Sequence, residues 1–146
     1  MMKSIVEVEI NKPQQEVAKL FADPANNPKW MHDLKCYEPV SGDQEHPGST
    51  YRLIPKKGNM IFLATIIEKN TDELKLDLEA SNVHVSITGK LKALSPARTK
   101  LISEEVFTFK GFFNSIFGLF AGKAIKSVHR RHIEDFKKFA EKNTAQ

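Results

Sequence analysis

Residues 4–10, SIVEVEI, place Val6, Val8 and Ile10 on one side of an extended chain and Glu7 and Glu9 on the other. A period of two predicts a half-buried strand. The period then changes. In NKPQQEVAKLFADP, Pro13 suits a first helical turn, Val17, Leu20 and Phe21 form an apolar stripe, and Asp23-Pro24 supplies a stop, so a short amphipathic helix is expected over about 13–22. The Pro- and Asn-rich DPANNPKWMHDL that follows leaves room for one further short helical turn, anchored by Trp30.

From Leu34 the pattern reads as consecutive strands, over about 34–40, 48–55, 59–69, 73–81, 83–94 and 98–109. Turn signals SGD, KKGN, NTDE and SPAR separate most of them, and the connections are too short for crossover helices, which predicts an antiparallel meander. LKLDLEA puts Leu74, Leu76, Leu78 and Ala80 on one face. In NVHVSITGKL the series Val83, Val85, Ile87, Gly89 and Leu91 is opposed by His84, Ser86, Thr88 and Lys90, so the sheet has a wet face and an apolar face. NMIFLATII is apolar on both faces, as a strand covered on both sides or at an interface would be. In the last strand Leu101, Ser103, Glu105, Phe107 and Phe109 share one face; Ile102, Glu104, Val106 and Thr108 share the other. Both are nearly equally apolar, and the pattern leaves open which turns inward.

A long amphipathic helix is expected from about Gly118 to Lys142. Residues placed 100° apart bring Phe120, Ala121, Ala124, Ile125, Val128, His132, Phe136 and Phe139 into one sector, opposite Lys123, Lys126, Arg130, Glu134, Lys137 and Glu141. Just ahead of it, GFFNSIFGLFAG carries Phe112 and Ile116 outside that sector and is punctuated by Gly111, Gly118 and Gly122, each costing about 1 kcal/mol of helix stability relative to Ala. The expectation is a hinge at the entrance of a cavity, with Phe113, Phe117 and Phe120 turned inward and Phe112 and Ile116 against a strand, a partner or a membrane surface.

One strand, two short helices ending near a Trp, six antiparallel strands and a long C-terminal helix make an α+β order of elements. With VEVEINKPQQEVAKLFADPANNPKW, GSTYR, ARTKLISEE and the terminal IEDFKKFAEK, the chain resembles the START-related (SRPBCC) superfamily and, within it, the polyketide cyclase/dehydrase-like group. The resemblance runs from about residue 4 to 142 and rests on element order and apolar spacing. It implies a helix-grip fold, in which a curved antiparallel sheet of about seven strands wraps a long C-terminal helix and encloses a cavity for an apolar small molecule or lipid. Some members catalyse cyclisation or dehydration, others only bind.

Composition narrows the function classes. At 146 residues the chain suits a single domain, 1–146, and with 40% hydrophobic and 27% charged residues it has no apolar run near the roughly 20 residues that cross a bilayer. MMKSIVEVEI lacks the apolar core of a secretory signal, so a cytoplasmic protein is expected. The single cysteine, Cys36, can make no internal disulfide and reads as structural. Of the net charge of +4, residues 110–146 supply the excess, with eight basic against three acidic side chains. That face could meet an anionic membrane weakly, with Phe112, Phe113, Ile116 and Phe117 inserting shallowly, or simply be a solvated helix surface. The helix has no exposed aromatics between its basic residues, so no nucleic-acid partner is expected.

His132 falls in the apolar sector, where its ring needs a polar partner. If Glu105 turns inward, a His132/Glu105 pair could do acid–base work; otherwise the ring meets water or backbone at the edge of the stripe. His129 and His132 stand three apart, but Arg130 and Arg131 between them disfavour a metal, and no third-ligand motif accompanies them. His32 reads as a surface or cavity-mouth residue, His46 as a turn residue and His84 as solvent-facing. There is no phosphate loop and no activated Ser or Cys motif, and no cofactor or metal is expected. The leading expectation is a module, monomer or homodimer, that binds a hydrophobic or amphipathic small molecule or lipid. Its candidate lining is Trp30, Tyr51, Phe62, Leu76, Val85, Phe107, Phe113, Phe117, Phe120 and His132. A cyclase/dehydratase-type enzyme using His132 and Glu105 is the alternative, and a peripheral lipid-surface protein a third.

Overall fold

A computed structural model describes residues 1–111 and 122–143. Strand β1 (Met2–Ile10) leads into helix α1 (Gln14–Ala22), a single 3-10 turn (Pro24–Asn26) and the short α2 (Asn27–Trp30). Then follow β2 (Leu34–Ser41), β3 (Thr50–Pro55), β4 (Phe62–Lys69), β5 (Glu73–Ala80), β6 (Val83–Ser95) and β7 (Arg98–Phe109), and the helix α3 (Gly122–Lys142). The expectations for Phe112, Phe113, Ile116, Phe117, Phe120 and the hinge they form lie outside the described residues.

All seven strands form one antiparallel sheet in the order β1-β7-β6-β5-β4-β3-β2. β2 to β7 follow one another as the turn signals predict, while β1 crosses to the far edge and pairs with β7, Met2 opposite Phe107 and Ile10 opposite Thr99. Register shifts at Leu34/Cys36, Pro39/Ser41, Ile66/Glu68 and Ala93/Ser95 bend the sheet. The helices cover its concave face.

The alternation decides which side chains meet them. Val6 and Ile10 of β1, Leu74 of β5, Leu91 of β6 and Leu101 of β7 are buried with Val17, Leu20 and Phe21 of α1 and Ile133, Phe136 and Ala140 of α3. Phe136 is fully buried, its ring 4.9 Å from that of Phe21 and 5.2 Å from that of Trp30. Removing a side chain of this kind from water stabilises the fold by roughly 2–3 kcal/mol. Gly89 makes the approach of α1 possible: a Cβ there would lie 2.5 Å from the Phe21 ring.

Two expectations change. The buried face of α3 is His129, His132, Ile133, Phe136 and Ala140, whereas Ala124 is exposed and Ile125, Val128 and Phe139 are only half-buried. The helix is rolled away from the predicted stripe because its buried face includes a histidine whose polar atoms are satisfied by the sheet, a residue that apolar spacing alone counts as wet. Strand β4 buries Ala64 and Ile66 on one face only; Leu63 and Ile67 on the other remain exposed within the chain.

Candidate functional site

Where the sheet, α1, α2 and α3 meet, a cavity remains, with about 50 Å³ open to the centre of a water molecule. That is room for roughly a few waters or one small ring. Its walls are Phe21 of α1, Asn27 and Trp30 of α2, Met31, Leu53 of β3, Leu74, Leu76 and Leu78 of β5, Ile87 of β6, Ser103 and Glu105 of β7, and His132 and Ile133 of α3. Most of this surface is apolar, because it is the inward face of alternating strands. The polar groups come from β7 and the helices.

β7 turns Leu101, Ser103 and Glu105 inward, the choice that the sequence pattern left open. β1 brings Ser4 alongside, opposite Glu105 in the register. His129, fully buried on α3, bridges the two strands: its Nδ1 lies 2.7 Å from Ser4 Oγ and its Nε2 2.9 Å from Ser103 Oγ. A neutral imidazole has one donor and one acceptor nitrogen, and two rotatable hydroxyls complement it in either tautomer. Burial, reinforced by the charges of His132 and Arg130, lowers the His129 pKa to about 4, so the ring is uncharged at neutral pH.

Glu105 Oε2 lies 3.7 Å from His129 Nε2, beyond hydrogen-bonding reach, and its side chain is only 16% exposed. Burial pushes the Glu105 carboxyl up to about 7, against a smaller opposing pull from His132. A carboxylic acid that exchanges its proton near neutrality therefore lines the cavity. The expected His132/Glu105 hydrogen bond is replaced by another: His132 Nε2 binds Asp33 Oδ1 at 3.0 Å. Asp33, just past α2, lies within reach of the helix, which strand-by-strand reading could not anticipate. That bond is the main reason the Asp33 carboxyl titrates below its usual range.

Trp30 stacks on Phe21 and meets Phe136 edge-on, with the His132 ring edge-on at 6.4 Å. Its indole Nε1 is shielded from solvent and has no hydrogen-bond partner among the described residues.

Of the residues expected to line a pocket, Trp30, Leu76 and His132 stand in the cavity wall. Tyr51 and Val85 are buried, and Phe62 and Phe107 half-buried, in a second apolar cluster with Leu34, Leu53, Ala64, Ile66, Leu78 and Val83. Burial there pushes the Tyr51 hydroxyl up to about 12, with the Asn27 side chain as a hydrogen-bonding partner that opposes the rise. Phe113, Phe117 and Phe120 lie outside the described residues. Sequence reasoning missed Asn27, Ser103 and above all His129, although Ile133, Phe136 and Ala140 follow it at spacings of four, seven and eleven. Among the described residues no cluster of three His, Cys, Asp or Glu side chains could hold a metal ion.

No protein-family model matches the sequence, and no curated protein matches it. Solved structures do match in shape. An aromatase/cyclase, Zhui, from Streptomyces sp. R1128 superposes with a TM-score of 0.77 at 15% identity, over 96% of this chain and 93% of that one. A START superfamily protein from Mycobacterium smegmatis gives 0.74 at 14% identity, over 97% and 96%. This chain has the START-related helix-grip fold. Ara h 8.0201 also superposes, with a TM-score of 0.73 at 15% identity over 97% of this chain and 98% of that one. The likeness is one of fold over nearly the whole length.

Proposed function

We infer that the protein binds a small, mainly apolar molecule in the cavity between the sheet and α3. The observation that carries this reading is the cavity itself: an apolar space, walled by Leu74, Leu76, Leu78 and Ile87 from the sheet, at the place where the helix is gripped. Burial of ligand surface at about 25 cal/mol per Å² supplies the affinity, and the few polar groups set the orientation. The limited volume favours a ligand, or a ligand portion, of about one ring. Native mass spectrometry of protein purified from cells, followed by titration with single-ring compounds, tests the reading. Leu76→Phe, which fills the cavity, is expected to abolish binding while urea unfolding remains cooperative. Undiminished binding by that variant would refute the site.

A second reading, acid–base catalysis of the cyclase or dehydratase kind, is favoured by one observation. Glu105 carries a proton near neutrality and faces His129 at 3.7 Å. The shared shape with an aromatase/cyclase supports it as far as fold can. Glu105→Gln should then abolish turnover of a polyketone substrate but leave its binding intact, and equal turnover would exclude Glu105 from that role. The membrane-surface reading draws only on the exposed Lys123, Lys126, Arg130 and Arg131 of α3; no helix among the described residues is long and apolar enough to cross a membrane. Flotation with anionic liposomes that weakens with salt would support it.

A further inference from the structure

Among the described residues of the cavity wall, Met31 alone belongs to neither a helix nor a strand. The rest of that wall can move only by breaking the main-chain hydrogen bonds of its elements, so the stretch after α2 is where it yields at least cost. This stretch is a tight turn, in which Leu34 N–H donates to Met31 O at 3.0 Å and His32 and Asp33 form the corner. Trp30 and Leu34 on either side are buried, Met31 is half-buried, and His32 and Asp33 are exposed. The chain thus passes from cavity wall to surface within three residues.

Two pairs fasten the corner to α3, and they cross. Asp33 Oδ1 accepts from His132 Nε2 at 3.0 Å, and His32 Nε2 lies 3.9 Å from Asp135 Oδ2. Each element gives one imidazole and one carboxyl group, adjacent in the turn and three apart on the helix, a spacing that brings His132 and Asp135 to the same side of α3. His132 also stands in the cavity wall, so the inner pair ties that wall directly to the exposed corner. The corner's main-chain tie to the end of β3 is a single hydrogen bond, Lys56 N–H to Asp33 O at 2.9 Å.

We propose that the His32-Asp33 turn is a gate, latched to α3 by these crossed His–Asp pairs, past which a small apolar ligand enters and leaves the cavity beside Met31. This rests on the cavity being the binding site, and it adds how that site is entered. A gate of this kind sets rates rather than affinity. When the ligand passes only while the turn is open, loosening the latch multiplies entry and escape by the same factor and leaves Kd unchanged. Asp33 and Asp135 are suited to testing this because neither lines the cavity.

The probe is fluorobenzene, and fluorine NMR reads its entry and escape rates on the whole chain. In the double variant Asp33→Asn/Asp135→Asn both rates are expected to rise together, by about five- to tenfold, with Kd within about twofold of the wild type. Amide exchange of the ligand-free chain gives a second reading. The Lys56 N–H, held by Asp33 O, should exchange through an opening that low urea does not affect and that is about tenfold more frequent in the variant; the β6–β7 ladder should follow the urea dependence of global unfolding. Unchanged entry and escape rates, or faster escape alone with a matching loss of affinity, would overturn the gate while leaving the cavity as a binding site. A Lys56 amide that opens only together with the ladder would also overturn it. Fluorobenzene that fails to bind the wild type would overturn both the gate and the single-ring cavity reading.

Discussion

Glu105→Gln should make the protein more stable, and by an amount that depends on pH. The ordinary carboxyl value is 4.5 and the folded value about 7. Between them the folded state keeps a proton that the unfolded chain has released, so wild-type stability falls as pH rises through this window and levels off above it. At about 1.4 kcal/mol for each tenfold change in proton concentration, the penalty reaches about 3 kcal/mol. His129 works in the opposite direction: its ordinary value is 6.5 and its folded value about 4, so between these the unfolded chain holds the extra proton and stability rises with pH. In the wild type the two slopes largely cancel between about 4.5 and 6.5. The Gln variant removes one and exposes the other. Urea unfolding at constant ionic strength, from pH 4 to 9, should show the variant's advantage growing by about 3 kcal/mol from pH 4.5 to 7 and staying constant above. An advantage that shrinks over this interval would mean that Glu105 is ionised in the folded state against a protonated His129, and would refute the neutral pair. The histidine carbon shifts of His129 in NMR provide an independent reading of the same question.

Other substitutions test the supports of the site. Gly89→Ala drives a methyl into the Phe21 ring and should cost about 1–3 kcal/mol in urea unfolding; with Phe21→Leu as well, the combined cost should be less than the sum. Ser103→Ala removes the partner of His129 Nε2 and should cost about 1–3 kcal/mol, with faster amide exchange in α3. Asp33→Asn weakens the contact between α3 and the segment after α2; because the folded Asp33 value is depressed, its stabilisation is present above the ordinary 3.8 and lost on acidification. Thermal melts of that variant and the wild type should converge in acid, and a gap that widens there would refute the assignment.

Most strands were legible because they bury one face with a period of two, while β2, buried only at Leu34, was placed by the turn signals around it, and the short β-to-β connections left no alternative to an antiparallel order. α1 was legible from Val17, Leu20 and Phe21, which are all buried. The roll of α3 was not, since His129 looks polar in a helical wheel and becomes a core residue only once Ser4 and Ser103, far away in sequence, are beside it. The inward face of β7 was ambiguous because each face carries one glutamate, Glu105 or Glu104, among apolar neighbours, and only the assembled cavity shows which of the two is received inside. Trp30 could be named as an anchor from its neighbours. That its indole nitrogen finds no partner among the described residues could not, because hydrogen-bond vacancy is a property of the assembled surroundings.

The edge position of β1 governs how the chain reaches this structure. As the polypeptide leaves the ribosome, β2 through β7 can pair in turn, each with the strand just made, but β1 must wait for β7, about 90 residues later along the contour at the nearer end of the pairing. Closing a loop of that length costs about 4 kcal/mol of chain entropy, which local turns do not incur. β1, made before the other six strands, is thus the last of the seven to find its place, and the Ser4–His129–Ser103 bridge fastens it only when α3 has arrived. An extension fused ahead of Met1 would be held near this late-forming edge throughout synthesis, so its bulk should slow maturation more than it alters the finished fold.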